Sequence, residues 1–375
     1  MISPAIFYGW LAENKIEFFS GVPDSLLKDI CAYITDHSPR KNHIIAANEG
    51  NAVALAAGYH LATGKIPLVY MQNSGIGNAV NPLLSLVDKN VYNIPLMLMI
   101  GWRGEPGVKD EPQHVTQGEV TPALLDAIQI PYTILEMDED NAREQIHIAV
   151  SQVNQSGVPH ALVIRKGTFE KYTIQSKKEV SHELTRESVV YQILEKLSGD
   201  DVLVSTTGKT SREVFECREA MGHPHHSDFL TVGSMGHSSQ IALGIALSKP
   251  GKRVVCLDGD GAMLMHMGGM AITGSMAPAN YIHIVINNSA HESVGGQPTA
   301  GSEIDMVAIA KACGYKSATS VSSSEELDKA WKAINKDSCP AFIEVKVRPG
   351  SRDDLGRPTI KPVDNKKDFM SNLES

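Results

Sequence analysis

Twelve short β-rich runs, separated by longer stretches of helical or polar character, constrain this chain more than any other feature. In the first half they are IEFFSGV (16–22), HIIAA (43–47), PLVYMQ (67–72), IPLMLMI (94–100), YTILE (132–136) and ALVIR (161–165). Helix-period segments lie between them, among them the alanine-rich stretch 49–63 and the stretch from Gly77 to Asp88. Strands of this length alternating with helices predict a parallel sheet covered on both faces. Residues 167–187 turn polar and charged, as a linker does. The pattern then restarts with VLVST (202–206), FLTV (229–232), RVVCLD (253–258), YIHIVI (281–286), KSATSV (316–321) and AFIEVKV (341–347). The expectation is α/β: two doubly wound parallel-sheet domains over 1–170 and 188–375, joined by a linker at 171–187. A chain of 375 residues is long enough for both. The two halves share an architecture without a sequence-level repeat. The tail after Val347, rich in Arg, Lys, Asp and Pro, is expected to be irregular.

Composition narrows the function classes. Apolar content of 42% and charged content of 21% are those of a globular protein with a sizeable core. Five scattered cysteines with no C-x-x-C pair fit reduced thiols better than a disulfide framework or zinc site. The opening residues lack a basic n-region and a long apolar h-region, so no signal peptide is read. The apolar stretch near Ile94 to Ile100 is far too short to cross a bilayer. A cytoplasmic protein with no membrane partner is therefore expected. A net charge of −9 argues against nucleic acid as a partner. Any anionic ligand must then be met by positive groups or a cation gathered locally.

The most informative motif lies in the second half. RVVCLDGDGA (253–262) is an apolar strand running into Asp258-Gly259-Asp260-Gly261, and YIHIVI ends in Asn287-Asn288-Ser289-Ala290. The separation suits a strand–helix–strand crossover, which is right-handed and sets the two strand ends side by side. Ligands of such sheets bind beyond those ends. Asp260 and Asn288 should then converge, and a carboxylate, an amide oxygen and a backbone carbonyl form a hard, partial oxygen shell. Mg²⁺ held this way keeps positions open for a diphosphate. Gly259 and Gly261 let the backbone approach the phosphates, and the helix opening near Ala262 offers its N-terminus. An EF-hand is excluded, because its fifth and sixth loop positions would be Ala262 and Met263. A plain strand-to-helix turn is the remaining structural alternative.

GDG followed at this spacing by NN resembles the fingerprint of the thiamine-diphosphate enzymes. The resemblance implies a fold of pyrimidine and diphosphate domains, and a metal held by Asp260, Asn288 and the carbonyl of Ala290. Two further features agree with it. Glu49, in AANEGNAVALAAGYHLATG (46–64), stands where the family carries the glutamate that bonds N1′ of the pyrimidine. A first-turn Glu favoured by the helix dipole is the alternative. Met235, after Gly233 in TVGSMGHSSQ, stands where the family places an apolar residue that bends the cofactor. A Met is more often core. The cofactor supplies the nucleophilic carbon and the electron sink. A protonated Glu49 would support it, which needs a carboxyl kept neutral by burial.

GVPDSLLK (21–28), NSGIGN (73–78), WRGEPGVKDEPQH (102–114), NNSAHESVGGQPT (287–299) and GSRDDLGRPT (350–359) resemble the phosphonopyruvate decarboxylases of that family. This likeness spans nearly the whole chain and implies conversion of 3-phosphonopyruvate to phosphonoacetaldehyde and CO₂ in phosphonate metabolism, with no middle domain. Ser289 departs from it, since relatives often carry Gly or Asp there. Asp24 and His114 match, loosely, an Asp and a His that a related decarboxylase places near substrate, and would handle protons. The bland readings are a turn or N-cap at Asp24, with Ser25 as competitor, and a surface loop at His114. Ser25, Asn73, Arg103 and Lys109 are candidate substrate contacts. Arg103, Lys109, Arg352 and Arg357 are the cations from which a phosphonate site could be drawn, and sequence does not rank them. His223, His225 and His226 read as an exposed loop, and Met263, Met265, Met267 and Met270 as helix core. The resemblance also implies a homodimer at minimum, or a tetramer, with the cofactor at the subunit interface.

Three rivals are kept in view. Sulfopyruvate decarboxylation is the same chemistry on a similar anion. A Rossmann dehydrogenase built on NSGIGNAV (73–80) lacks the third glycine, which is Val80, and the acidic residue ending the next strand. A non-catalytic regulatory protein would not need Glu49 together with the metal set.

Overall fold

The computed structural model describes residues 1–176 and 181–374. Among these, a strand forms in every one of the twelve expected runs. The chain divides into two compact units, Met1–Lys178 with Ser293–Gln297, and Glu179–Glu292 with Pro298–Ser375. The linker expected at 171–187 runs partly through 177–180, which lie outside the described residues. Its far end is already helical, since the helix Arg186–Lys196 begins behind a Thr185/Ser188 capping box.

In the first unit the strands are β1 (Phe19–Gly21), β2 (His43–Ile45), β3 (Leu68–Gln72), β4 (Met97–Gly101), β5 (Tyr132–Ile134) and β6 (His160–Ile164), all parallel, in the order β2-β1-β3-β4-β6-β5. The two-residue period of a strand explains the continuous apolar runs. Leu68, Tyr70, Met97, Met99, Leu162 and Ile164 pack on one face with Phe7, Leu11, Ile30, Ile34, Ile146 and Val150. Their sequence neighbours Val69, Met71, Leu98, Ile100, Ala161 and Val163 pack on the other with Ala52, Val53, Ala56, Ile76, Leu83 and Leu125. Each fully buried Leu or Ile contributes about 1.5–3 kcal/mol.

The second unit repeats this plan with β7 (Val202–Ser205), β8 (Asp228–Leu230), β9 (Val254–Gly259), β10 (Tyr281–Asn287), β11 (Ser317–Val321) and β12 (Ala341–Lys346), all parallel, in the order β11-β12-β10-β9-β7-β8. Counted from the β8 edge, the strand order within the unit matches that of the first unit counted from β2. The repeat is thus one of topology, carried by apolar pattern and not by residue identity.

Two expectations are corrected. The tail is not irregular to its end: Pro362–Glu374 is a helix. Asn365, Phe369 and Leu373, four apart, share a face. Phe369 meets Phe229 at 5.6 Å between rings, while the Asn365 amide donates to Asp228 O and accepts from Leu230 N at 2.8 and 3.1 Å. This helix covers edge strand β8, and its charged Lys366, Lys367 and Asp368 hide the one-sided pattern from composition. In the methionine run, Met263, Met265 and Met270 are buried, but Met267 is 37% exposed, because it falls between the helices Asp260–Met265 and Gly268–Met276.

Candidate active site

Strands β9 and β10 are direct neighbours, with Gly259 opposite Ile286. Asp260 opens the next helix immediately after β9, and Asn288 follows β10. The two converge as the crossover requires. The Asp260 carboxylate accepts backbone N–H bonds from Gly261 and Asn288 and the hydroxyl of Thr299, yet burial still pushes it up to about 6. Gly301 makes room, since a Cβ there would stand 2.8 Å from Asp260 Oδ2 and 2.7 Å from Asn287 Oδ1. Asn287 braces the turn, donating to Gly301 O and Glu344 Oε1 at 2.9 and 2.7 Å. Asn288 donates Nδ2 to Glu292 and accepts the Ala290 N–H at Oδ1, 3.1 Å away. Ser289 takes a left-handed φ of 57°, which explains why Gly or Asp suits this position, and its hydroxyl reaches Asn287 Oδ1 at 3.1 Å. A desolvated carboxylate beside an amide oxygen and the Ala290 backbone is a donor set of hard oxygens, and Mg²⁺ fits it.

The Met235 loop lies on the same unit. Gly233, Ser234 and Gly236 are all left-handed, with φ of 74°, 48° and 84°. The Gly233 N–H donates to Thr207 Oγ1 at 2.9 Å. Gly236 is sterically required, as a Cβ there would come within 2.7 Å of the His266 ring. Met235 is only half-buried and belongs to neither core cluster of its unit. Its Cε would stand 3.5 Å from a Cβ at Gly261, and His291 would be closer, at 3.0 Å. Met235 is therefore aimed at the GDG turn.

In the first unit Glu49 is the first residue of the helix Glu49–Thr63, capped by the Asn48 side chain. Its carboxylate is 5% exposed and accepts Asn78 Nδ2 at 2.7 Å. A Cβ at Gly75 would lie 2.3 Å from Glu49 Oε1, so glycine lets the carboxylate pass the end of β3. Burial raises its pKa, against the helix N-terminus that would favour charge.

Asp24, Ser25, Asn73 and Arg103 follow the carboxyl ends of β1, β3 and β4. Asp24 is fully buried, and its Oδ2 accepts the N–H groups of Leu26 and Leu27 at 2.8 and 3.3 Å. Its Oδ1 has no partner, and burial pushes the carboxyl up to about 6 although Arg103 pulls it down. Asp24 is both the turn cap and a poised carboxyl. Arg103 donates Nη1 to Ser25 Oγ at 2.6 Å and clasps Asp110 with Nε, at 2.8 Å, and Nη2. Asn73 holds the Arg103 backbone from both sides, donating to its carbonyl at 2.8 Å and accepting its N–H at 3.2 Å, and also donates to Thr121. Its amide is occupied as a clamp. His114 is not on a surface loop: it is 7% exposed in the first turn of the helix Pro112–Ala127. Burial and the Arg103 charge lower its pKa, so the imidazole is neutral, with Nδ1 3.3 Å from Gln117 Oε1. Lys109 is exposed. Arg352 is tied at the surface to Glu187, Glu216 and Asp354. His225 stacks on Phe215 at 4.3 Å and pairs with Glu219 at 2.5 Å.

Sequence reasoning missed Asn78, Asp110, Thr299 and Glu292, which bond the named residues, and His291, whose ring stands beside Gly261. Glu292 and His291 stand within four positions of Asn288, a proximity that could have flagged them. It also missed Cys256, Asp258 and His283, fully buried with ligating atoms within 4.8 Å of one another. His283 bonds Asp258 at 3.4 Å and Tyr315 at 3.2 Å, a brace beneath the GDG turn.

Comparison with known proteins agrees with this geometry. Residues 4–129 match the family model described as the N-terminal TPP binding domain of thiamine pyrophosphate enzymes, and 206–345 match the C-terminal TPP binding domain. A phosphonopyruvate decarboxylase of Streptomyces viridochromogenes is 32% identical, covering 99% of this chain and 95% of its own length. The chain belongs to the thiamine pyrophosphate enzyme family. A second phosphonopyruvate decarboxylase, from Streptomyces hygroscopicus, is 33% identical over 96% of this chain and 92% of its own. A sulfopyruvate decarboxylase of Methanosarcina acetivorans is 28% identical over 97% and 96%. This family member carries both TPP binding domains on one chain, with no middle domain between the two matches. Among the described residues no helix is long and apolar enough to cross a membrane.

Proposed function

We propose that the protein decarboxylates 3-phosphonopyruvate to phosphonoacetaldehyde and CO₂, using thiamine diphosphate and Mg²⁺. The observation that carries this reading is the likeness, over nearly the full length, to two phosphonopyruvate decarboxylases. Asp260, Asn288 and the Ala290 carbonyl would hold Mg²⁺ against the diphosphate, with Gly259, Gly261 and Ala262 at the turn and Gly233 and Met235 flanking the ring system. When bound, thiamine diphosphate supplies the nucleophilic carbon and takes up the electron pair released with CO₂. Glu49, whose pKa burial raises, would hold a proton toward the pyrimidine ring. Asp24 and the neutral His114 handle the proton that replaces CO₂. Both stand beside Arg103, whose charge acts on each of them.

Arg103 is the cation best suited to the phosphonate. It is half-buried, its guanidinium is fixed by Asp110, and it shares Ser25 as a hydroxyl partner. Arg103→Lys keeps the charge and loses the fork. We expect kcat/KM for phosphonopyruvate to fall about 10- to 100-fold, the worth of one or two charge-assisted hydrogen bonds. Slow turnover of pyruvate, which lacks the phosphonate, should be unchanged in the same steady-state assay.

The likeness to sulfopyruvate decarboxylase favours a second reading, the same chemistry on a sulfonate. The deciding measurement is CO₂ release from both keto acids, with and without thiamine diphosphate and Mg²⁺. Phosphonopyruvate should give the higher kcat/KM, and only with both cofactors present. Faster sulfopyruvate turnover would transfer the assignment to that substrate.

We further propose a homodimer or tetramer in the cytoplasm, with the cofactor between the first unit of one subunit and the second unit of its neighbour. Leu55, Leu61 and Leu84 stand exposed on the helices that carry Glu49 and Asn78, apolar side chains that a second subunit would cover. Five free cysteines, four of them buried, suit a reducing compartment.

A further inference from the structure

Asn288 can serve a metal only with its amide turned one way, and its two ends have nearly the same shape. A carboxylate accepts hydrogen bonds and offers no proton of its own. The Glu292 carboxylate lies 2.8 Å from the Asn288 amide at Oε2, so the nitrogen must face it and Oδ1 must face away. Glu292 is itself held on two sides. Arg186 Nη1 donates to the same Oε2 at 2.8 Å, and Lys209 Nζ donates to Oε1 at 2.9 Å. Arg186 is fixed in turn by Glu213, which accepts its Nε and Nη2 at 2.6 and 2.7 Å, and Lys209 also donates to Ser351 at 2.7 Å. These bonds fix the Glu292 carboxylate with Oε2 facing the Asn288 amide.

We infer that Glu292, clamped by Arg186 and Lys209, is a positioning residue that locks the Asn288 amide with its oxygen toward the Mg²⁺ site. The inference rests on the reading of Asn288 as a metal contact. The three charged residues act through Asn288.

In Glu292→Gln the new amide donates as well as accepts, so Asn288 loses the partner that demands its nitrogen and only the Ala290 N–H, 3.1 Å from Oδ1, still favours one orientation. The test is a Mg²⁺ titration at fixed thiamine diphosphate, read by calorimetry and by protein fluorescence, with thermal unfolding of the metal-free protein as the check on folding. The apparent Mg²⁺ affinity should fall about 10- to 100-fold, as for other partners that orient metal ligands. At saturating Mg²⁺, kcat should recover to near the parent value. Lys209→Met, which leaves Arg186 in place, should weaken Mg²⁺ binding less and gives a second variant if the first does not fold. In an Asn288→Ala background, Glu292→Gln should cause no further loss. An undiminished Mg²⁺ affinity in folded Glu292→Gln, with Asn288→Ala impaired, would overturn the positioning role alone. The same loss from Glu292→Gln in both backgrounds would also overturn it. An unimpaired Asn288→Ala would overturn the metal reading itself.

Discussion

Glu49→Gln should lower kcat by about 10²- to 10⁴-fold, the span of a single proton-transfer residue, while thiamine diphosphate affinity stays within about tenfold of the parent. Glutamine keeps the size of the side chain and its bond to Asn78, and still donates a hydrogen bond, but has no transferable proton. Single-turnover decarboxylation and a cofactor titration on the same preparations separate the two quantities. Retained full activity would remove Glu49 from the mechanism. The pH profile sharpens the test. Burial raises the Glu49 pKa, so the active, protonated form persists to higher pH than for an exposed glutamate, and the rate falls as pH rises through the folded-state value. That limb should vanish in the variant. Stability follows the same sign. A carboxyl whose folded pKa is raised stabilises the fold only at low pH and loses that contribution as pH rises through the folded value. Near neutrality Glu49→Gln should therefore unfold at a temperature no lower than the parent.

Asp260→Asn should abolish cofactor loading. A neutral amide cannot balance Mg²⁺ and a diphosphate, and the apparent Mg²⁺ affinity should fall by roughly 100-fold or more, beyond the span seen for residues that merely orient ligands. The distinguishing measurement is a thermal shift. Saturating cofactor and metal at 100 times Kd stabilise a folded protein by about 2.7 kcal/mol, so the parent should melt higher when loaded and the variant should not. Without cofactor or metal the variant should melt at least as high as the parent, because the parent buries a carboxylate in a site whose desolvation raises it to about 6. An equal shift in both proteins would place the metal elsewhere.

Legibility of the site in sequence follows from the spacing of its parts. Asp260 and Asn288 belong to consecutive strands of one crossover, so their convergence can be read from the strand pattern. Glu49 and Met235 were readable as positions within local motifs. The clamp role of Asn73 is not legible in sequence, because nothing local reveals that its amide bonds a backbone 30 residues away. His114 resembled a surface residue for a similar reason, since the helix that buries it starts at a proline in a polar, glycine-containing stretch. The helical tail escaped because its inward face has only two apolar residues, Phe369 and Leu373, beside the polar Asn365, among charges.

What the sequence determined by itself is the order of strands and helices and the chemistry placed at strand ends, because period-two apolar runs and short glycine-flanked motifs are local properties of the chain. What only the tertiary structure decided is which groups share an environment. Arg103 reaches Ser25 across 78 positions and Arg186 reaches Glu292 across 106. The desolvation that raises Glu49, Asp24 and Asp260 depends on neighbours brought in by folding. Dielectric surroundings and hydrogen-bond partners are set by proximity in space, and a linear pattern carries no record of them.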